Sequence, residues 1–460
     1  MSRWSVPARR SGRRTALLAV AGLLAAGGAA WAVGRPPEPQ RPAVSRDLYA
    51  QGVGIEADGS LAEVPPGLRD GAPVRSFLAG TRVLVPVAPG TNGSQAQRQA
   101  ETLAQGQRDW LAAGCLPGAG TPLADLGRSA LLDLHVLELP GGAVVAGWTP
   151  AWRYVWPRDA AFAAAAFAET GHGEDADRVL GFLASRQAAD GTFQARYRPD
   201  APGVPDARGV QLDGTGWAPW ALGVVVDAAA PADRAAVVAR HRPLLDRSAA
   251  ALHRLTRDGR RLPPVSLDYW ETRPKGVTLG TVAPMLAGLD AAARLYGVAG
   301  DPAAAARART TRTRFAATVT ARFGRSRFQR YPSGGGSDAA VAMMLPPFQP
   351  ASSPAVRRAF ATAARDLRRP AGGLAPGEAW PERTLSWTPE TALFALSSAG
   401  TGDRAAAAAR LTWLAAHRTA LGALPEKVRA DGGPGAVAPL AWTSALVVLA
   451  LRELDPPGCS

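Results

Sequence analysis

The feature that most constrains this chain is the rhythm of its helix joins. Three short turns share one design, ETGHGED (169–175), YGVAGDP (296–302) and SSAGTGD (397–403), with Gly and Asp set between Ala- and Leu-rich stretches. Other joins are long, aromatic and Pro-rich, such as VSLDYWETRPKG (265–276). Apolar spacing punctuated by Gly, Pro, Asp or Thr predicts twelve helices. They cover roughly 123–137, 158–170, 174–188, 213–228, 232–257, 279–297, 301–323, 337–345, 353–368, 387–399, 402–418 and 440–452. A long join precedes each even-numbered helix, except that a Gly/Ser-rich loop precedes the eighth. Short on one side and long on the other, six times over, describes a closed ring of helical hairpins. The expected fold is therefore all-α, an (α/α)6 barrel. All six even-numbered helices would start at the same end and face a common cavity.

The remainder of the chain reads as additions to that barrel. Residues 119–460 are assigned to it, and 47–118 to a small N-terminal extension. Runs such as RVLVPVAP (82–89) predict short strands there, followed by a helix over 93–113. Residues 35–46 are a Pro-rich linker. Residues 1–34 join a basic start to the apolar run TALLAVAGLLAAGGAAWAVG, ending in an A-x-A-like site at 30–32. That pattern predicts a signal peptide or membrane anchor, with Arg13-Arg14 placed as in a twin-arginine signal. The protein is thus expected outside the cytoplasm, secreted or held to the membrane by this segment alone.

Charge and cysteine usage exclude several classes. The formal net charge is +14, but eight arginines against one acid in residues 1–46 supply +7 of it. Elsewhere basic residues are scattered, with no basic stripe interleaved with aromatics, so no nucleic-acid partner is expected. No Cys-x-x-Cys pair or His-rich cluster occurs, and no metal or cofactor is expected. Cys115 and Cys459 either pair, as export would allow, or remain two thiols.

Carboxylates and indoles collect where the even-numbered helices begin. YVWPRDA (154–160) opens the second, QLDGTGWAPW (211–220) the fourth, GGGSDAA (334–340) the eighth and SWTPE (386–390) the tenth. DYWE precedes the sixth, and LPEKV (424–428) lies ahead of the twelfth. Any single acid here reads better as a helix cap or a solvated charge. Glu271 and Glu426 are different, because each sits in an aromatic loop away from a first turn. Flat indoles stack on pyranose faces, and Arg and Asp bind sugar hydroxyls in pairs. Two carboxylates across such a site point to glycoside hydrolysis. Tyr269 and Trp270 are expected to flank Glu271 with apolar surface and keep it protonated as general acid. The basic residues Lys427 and Arg429 after Glu426 suit an ionised general base.

These segments resemble the glucoamylase family, glycoside hydrolase family 15, over roughly 120–455. WPRDA is similar to the family's Trp-x-Arg-Asp, QLDGTG to its Gln-x-Asp-Gly, DYWE to its Asp-x-Trp-Glu, LPEKV to its Pro-Glu-Gln, and PLAWTSA to its Leu-x-Trp-Ser. The resemblance implies an (α/α)6 fold and an inverting mechanism, with Glu271 as acid and Glu426 as base. It also implies substrate contacts from Trp156, Arg158, Asp159, Gln211, Asp213, Trp270, Trp387 and Trp442. The implied partner is an α-glucan or oligosaccharide, cleaved to glucose from its non-reducing end. Thr272 and Lys427 depart from the family, which often has Glu and Gln there. Two other readings are a silent glycan-binding protein on the same barrel and a different α-glucoside specificity, such as trehalose or dextran. FLASRQAADGTF (182–193) is also similar to a terpene-cyclase repeat, but that chemistry needs Asp-rich motifs that this chain lacks.

Overall fold

The computed structural model describes residues 47–86 and 91–455. The expected leader (1–34) and linker (35–46) lie outside the described residues, as does Cys459. The chain begins with two small hairpins, β1 (Gly52–Ile55) with β2 (Leu61–Val64) and β3 (Leu68–Arg69) with β4 (Ala72–Pro73). Helix α1 (Thr91–Ala113) follows. The barrel helices are α2 (Ala124–Leu137), α3 (Pro157–Glu169), α4 (Gly173–Arg186), α5 (Asp213–Ala228), α6 (Arg234–Arg240), α7 (Arg242–Thr256), α8 (Leu279–Val298), α9 (Pro302–Phe323), α10 (Pro354–Asp366), α11 (Thr388–Gly400), α12 (Arg404–Ala416) and α13 (Ala441–Leu454).

An inner ring and an outer ring separate by composition. Helices α3, α5, α8, α11 and α13 are buried along almost their whole length. Such all-round apolar helices must be covered on every side. Helix α10, by contrast, buries only Val356 and Ala363. The inner ring closes: α3 packs on α5, α5 on α8, α8 on the 3₁₀ segment Ala339–Met344, that segment on α11, α11 on α13, and α13 on α3. Helices α5 and α8 approach until their backbones touch. A Cβ on Gly216 would meet the Pro284 carbonyl oxygen at 2.2 Å, so glycine is required there. Phe162, Trp217, Trp220 and Phe348 fill the barrel interior, with ring centroids 4.9–5.8 Å apart. Trp217 and Trp220 are therefore core residues.

Two of the twelve expected helices take a different form. The stretch 232–257 breaks at His241 into α6 and α7, because Pro243 has no N–H to continue the ladder. The eighth is a six-residue 3₁₀ helix, Ala339–Met344, stopped by Pro346 and Pro347. Helix α1 is anchored on the outer ring by Trp110. Its ring stacks between His135 and His172, 3.9 Å from each, and its Nε1 donates to Asp175.

Two short sheets complete the fold. β5 (Glu138–Leu139) pairs with β6 (Ala143–Val144). β7 (Ser386–Trp387), β8 (Lys427–Val428) and β9 (Pro434–Gly435) form a three-stranded ladder at the mouth of the barrel. Pairing of Trp387 with Lys427 fixes the Glu426 segment beside the start of α11.

Candidate active site

The N-termini of the inner helices bring the predicted residues to one rim. Arg158 and Asp159 lie in the first turn of α3, and Asp213 opens α5. Arg158 is the hub. Its guanidinium lies 3.1 Å from Asp159, 3.3 Å from Asp213 and 3.6 Å from Glu271, and stands 4.5 Å over the Trp442 ring. Gln211 donates to Asp213 at 3.1 Å. Burial pushes both Asp159 and Asp213 up to about 6 against the pull of Arg158.

Glu271 sits differently from the expectation. Its φ of +54° places it in the left-handed region, with its N–H bonded to the Asp268 carbonyl. The chain turns so sharply there that neighbouring side chains diverge. Tyr269 turns inward, where its hydroxyl donates to Asp338 and to the Pro376 carbonyl. Trp270 lies under Arg330, 3.5 Å away. Glu271 instead meets two guanidiniums, Arg158 and Arg208, the latter donating to its Oε2 at 3.0 Å. The expected apolar flank is thus replaced by positive charge, because the left-handed turn separates the acid from the aromatic pair before it.

A second buried cluster supports this loop. Arg330 pairs with Asp268 at 3.1 Å and Asp338 at 2.9 Å. Asp338 also caps the 3₁₀ helix by accepting from Ala340 N. A belt of edge-to-face indoles, Trp270, Trp380 and Trp387, then leads from this loop to β7.

Glu426 stands at the far end of the belt. Its backbone N–H bonds to Val437, and its carbonyl accepts from Thr388 N. Its carboxylate accepts from Trp152 Nε1 at 3.3 Å and pairs with Lys427 at 3.4 Å. Lys427 is itself buried, with its ammonium 4.4 Å from the centre of the Trp387 ring. Arg429, the other expected cation, pairs with Asp431 instead.

Unpaired polar atoms concentrate at this rim. Trp156 Nε1, Arg158 Nε, Gln211 Oε1, Trp387 Nε1, Glu390 Oε2 and Trp442 Nε1 are buried without a hydrogen-bond partner. Each such atom costs about 1–3 kcal/mol unless something polar meets it. A site lined by orphan donors and acceptors, indole edges and carboxyl groups suits a polyhydroxylated ligand.

Sequence reasoning missed Arg208, Trp152, Arg330 and Glu390 as contributors. Arg208 precedes Gln211 in the same rim join, and Glu390 ends the SWTPE segment. Position in a rim join was thus the available signal for both. Outside the rim, His135, Glu138 and Asp175 bring three ligand-type atoms within 4.8 Å of one another. Arg178 already pairs with both carboxylates, so the group reads as an ion network.

The class these features define is a six-hairpin (α/α)6 barrel with a carboxylate–arginine site at one rim. Solved structures share the barrel. A wild-type glycosidase superposes with a TM-score of 0.61 at 22% identity, over 72% of this chain and 96% of its own. A bacterial glucoamylase complexed with acarbose gives 0.59 at 17%, over 79% and 61%. Glucoamylase from Saccharomycopsis fibuligera gives 0.54 at 13%, over 68% and 89%. At these identities the likeness shows the fold. No protein-family model matches the chain, and no curated protein matches its sequence.

Proposed function

We propose that this protein is an exported, inverting glycoside hydrolase that releases glucose from the non-reducing end of α-linked glucans or oligosaccharides. One observation carries the reading. Two rim glutamates, Glu271 beside Arg158 and Glu426 beside Trp152 and Lys427, stand among unpaired polar atoms and indole edges that match a sugar's hydroxyls and faces. The glycosidases among the structural neighbours support it.

In this reading Glu271 protonates the glycosidic oxygen, and Glu426 activates water on the opposite face of the sugar. Inversion requires the two carboxyl groups to stand about 6.5–9.5 Å apart across the cleaved bond. Arg158, Asp159 and Asp213 hold the terminal sugar's hydroxyls, while Trp156, Trp270, Trp387 and Trp442 contribute the indole walls. For Glu271 to carry a proton at cleavage, sugar hydroxyls must take over the hydrogen bond that Arg208 now gives it. Arg208 is the more exposed of the two guanidiniums, 20% against 6% for Arg158, and so the easier to displace.

Purified protein tested on starch, maltooligosaccharides, isomaltose, dextran and trehalose should release β-glucose from one α-linked class. Glu271→Gln and Glu426→Gln should each lower kcat by at least about 100-fold without unfolding the protein. Near-normal kcat in either variant would remove that residue from the mechanism. The silent glycan-binding reading draws on the cations that hold both glutamates, Arg158 and Arg208 on one and Lys427 on the other. Sugar binding without turnover on any substrate would favour it.

A further inference from the structure

Glu390 is a buried acid that the mechanism above does not use. It lies in the first turn of α11, is 2% exposed, and its Oε2 has no hydrogen-bond partner. The ordinary task for a glutamate at this position is to close a capping box. The third residue of a helix then reaches back to the N–H of the cap residue. Here the cap residue is Trp387, and its N–H is already given to the Leu374 carbonyl at 2.7 Å. The β7 strand has taken the donor that would have occupied Glu390.

Its surroundings are those of the site. The charged groups that reach it are Glu426, carried beside β8, Arg158 from α3 and Asp338 from the 3₁₀ segment. Helix α13 also packs on α11 but brings no titratable group in its first eight residues, Ala441–Val448. The nearest buried ammonium, Lys427, is already paired with Glu426. Among the described residues no cation pairs with Glu390, whereas Asp159, Asp213, Asp268, Glu271, Asp338 and Glu426 each have one.

We propose that Glu390 is a third carboxyl group of the sugar site, giving a hydrogen bond to a hydroxyl of the bound sugar instead of accepting one. Two neighbouring carboxylates of which only Glu426 has a cation are unfavourable, and the buried group without the cation is the one that keeps its proton. Burial, reinforced by the Glu426 charge, pushes Glu390 up to about 8, although its place at a helix N-terminus acts the other way. A neutral carboxylic acid has one donor to offer, and the atom available for it is the orphan oxygen. This inference rests on the sugar-site reading, not on turnover.

Glucose binding to the full chain, followed by calorimetry between pH 6 and 9, tests it. Wild-type affinity should hold up to about pH 8 and fall roughly tenfold per further pH unit. Glu390→Ala should weaken binding at pH 7 by roughly 10- to 100-fold. Glu390→Gln keeps a donor but cannot ionise. It should recover most of the affinity lost in Glu390→Ala, and its binding should not fall above pH 8. Thermal melts establish that both variants are folded. Affinity that is independent of pH and unchanged in Glu390→Ala would overturn the proposal, as would an alkaline fall that persists in Glu390→Gln, or no glucose binding at all. Glucose binding with this pH dependence, but no turnover of any substrate, would leave Glu390's role standing and defeat the hydrolase reading alone.

Discussion

Two buried arginines stand over two tryptophans in this barrel, and their neighbours are satisfied to different degrees. Arg330 lies 3.5 Å over Trp270 and pairs with Asp268 and Asp338. Asp338 also accepts from Tyr269 and from the backbone of Ala340, so that side of the cluster is closed by protein donors. Arg158 lies 4.5 Å over Trp442 and pairs with Asp159, Asp213 and Glu271. Around it Arg158 Nε, Gln211 Oε1, Trp156 Nε1 and Trp442 Nε1 remain without partners, against Asp268 Oδ2 and Trp270 Nε1 around Arg330. The same chemical parts serve two ends. One cluster spends most of its hydrogen bonds on holding the Glu271 loop in place, and the other leaves more of them for something that is not protein.

Removing each arginine should separate those ends. Arg330→Ala strands Asp268 and Asp338 in the interior and should cost about 3–5 kcal/mol of stability, read by urea unfolding at pH 7. Arg158→Ala should cost clearly less. Asp159 and Asp213 already titrate near 6, so they can take up protons once the guanidinium is gone. Its large effect should fall on sugar binding. Equal losses of stability in the two variants would end the distinction between a supporting and a receiving cluster.

The next effect is one of pH. Asp213 is raised by burial from 3.8 to about 6 in the folded state. A raised folded value stabilises fully below the unfolded value, and that contribution is lost as pH rises through about 6. The stability of wild type relative to Asp213→Asn should therefore decline between pH 4 and pH 7, by up to the order of 3 kcal/mol. Urea unfolding at both pH values measures it. A difference that grows with pH would mean that the Arg158 ion pair, and not desolvation, dominates this side.

The receiving cluster was legible in the sequence and the supporting one was not, for a physical reason. Arg158, Asp159 and Asp213 occupy first turns of helices, which apolar periodicity locates well, and all six even-numbered starts had to share one end. Arg330 sits in the irregular loop RFQRYPSGGGS, 62 residues from Asp268, with no period to mark it. Glu390 was hidden because a first-turn glutamate looks like a cap, and only the bond from Trp387 to Leu374 shows that it is not one. The flank of Glu271 differs from the expectation because adjacency in sequence is not adjacency in space at a left-handed residue. The twelve-segment pattern held, while its irregular members, the break at His241 and the 3₁₀ turn, were set by prolines.

The smallest effect gives the finest discrimination, since it changes only the rings beneath the two guanidiniums. Phe retains an aromatic face of lower electron density and removes the indole N–H. Trp270→Phe weakens a stack at 3.5 Å on the ring face that Arg330 covers, and it also loosens the edge-to-face contact with Trp380, so its larger effect falls on the supporting cluster even if the ring also walls the sugar site. It should lower stability by about 1 kcal/mol. Trp442→Phe weakens a longer stack, at 4.5 Å, and, like Trp270→Phe, deletes an N–H that no protein atom uses, but it does so beside the Arg158 cluster. Unfolding should therefore register that change less, and glucose affinity should register it more, by a few-fold. If both substitutions moved only the melting temperature, the indole edge of Trp442 would be no part of a binding surface, and the Arg158 cluster would be structural like its counterpart.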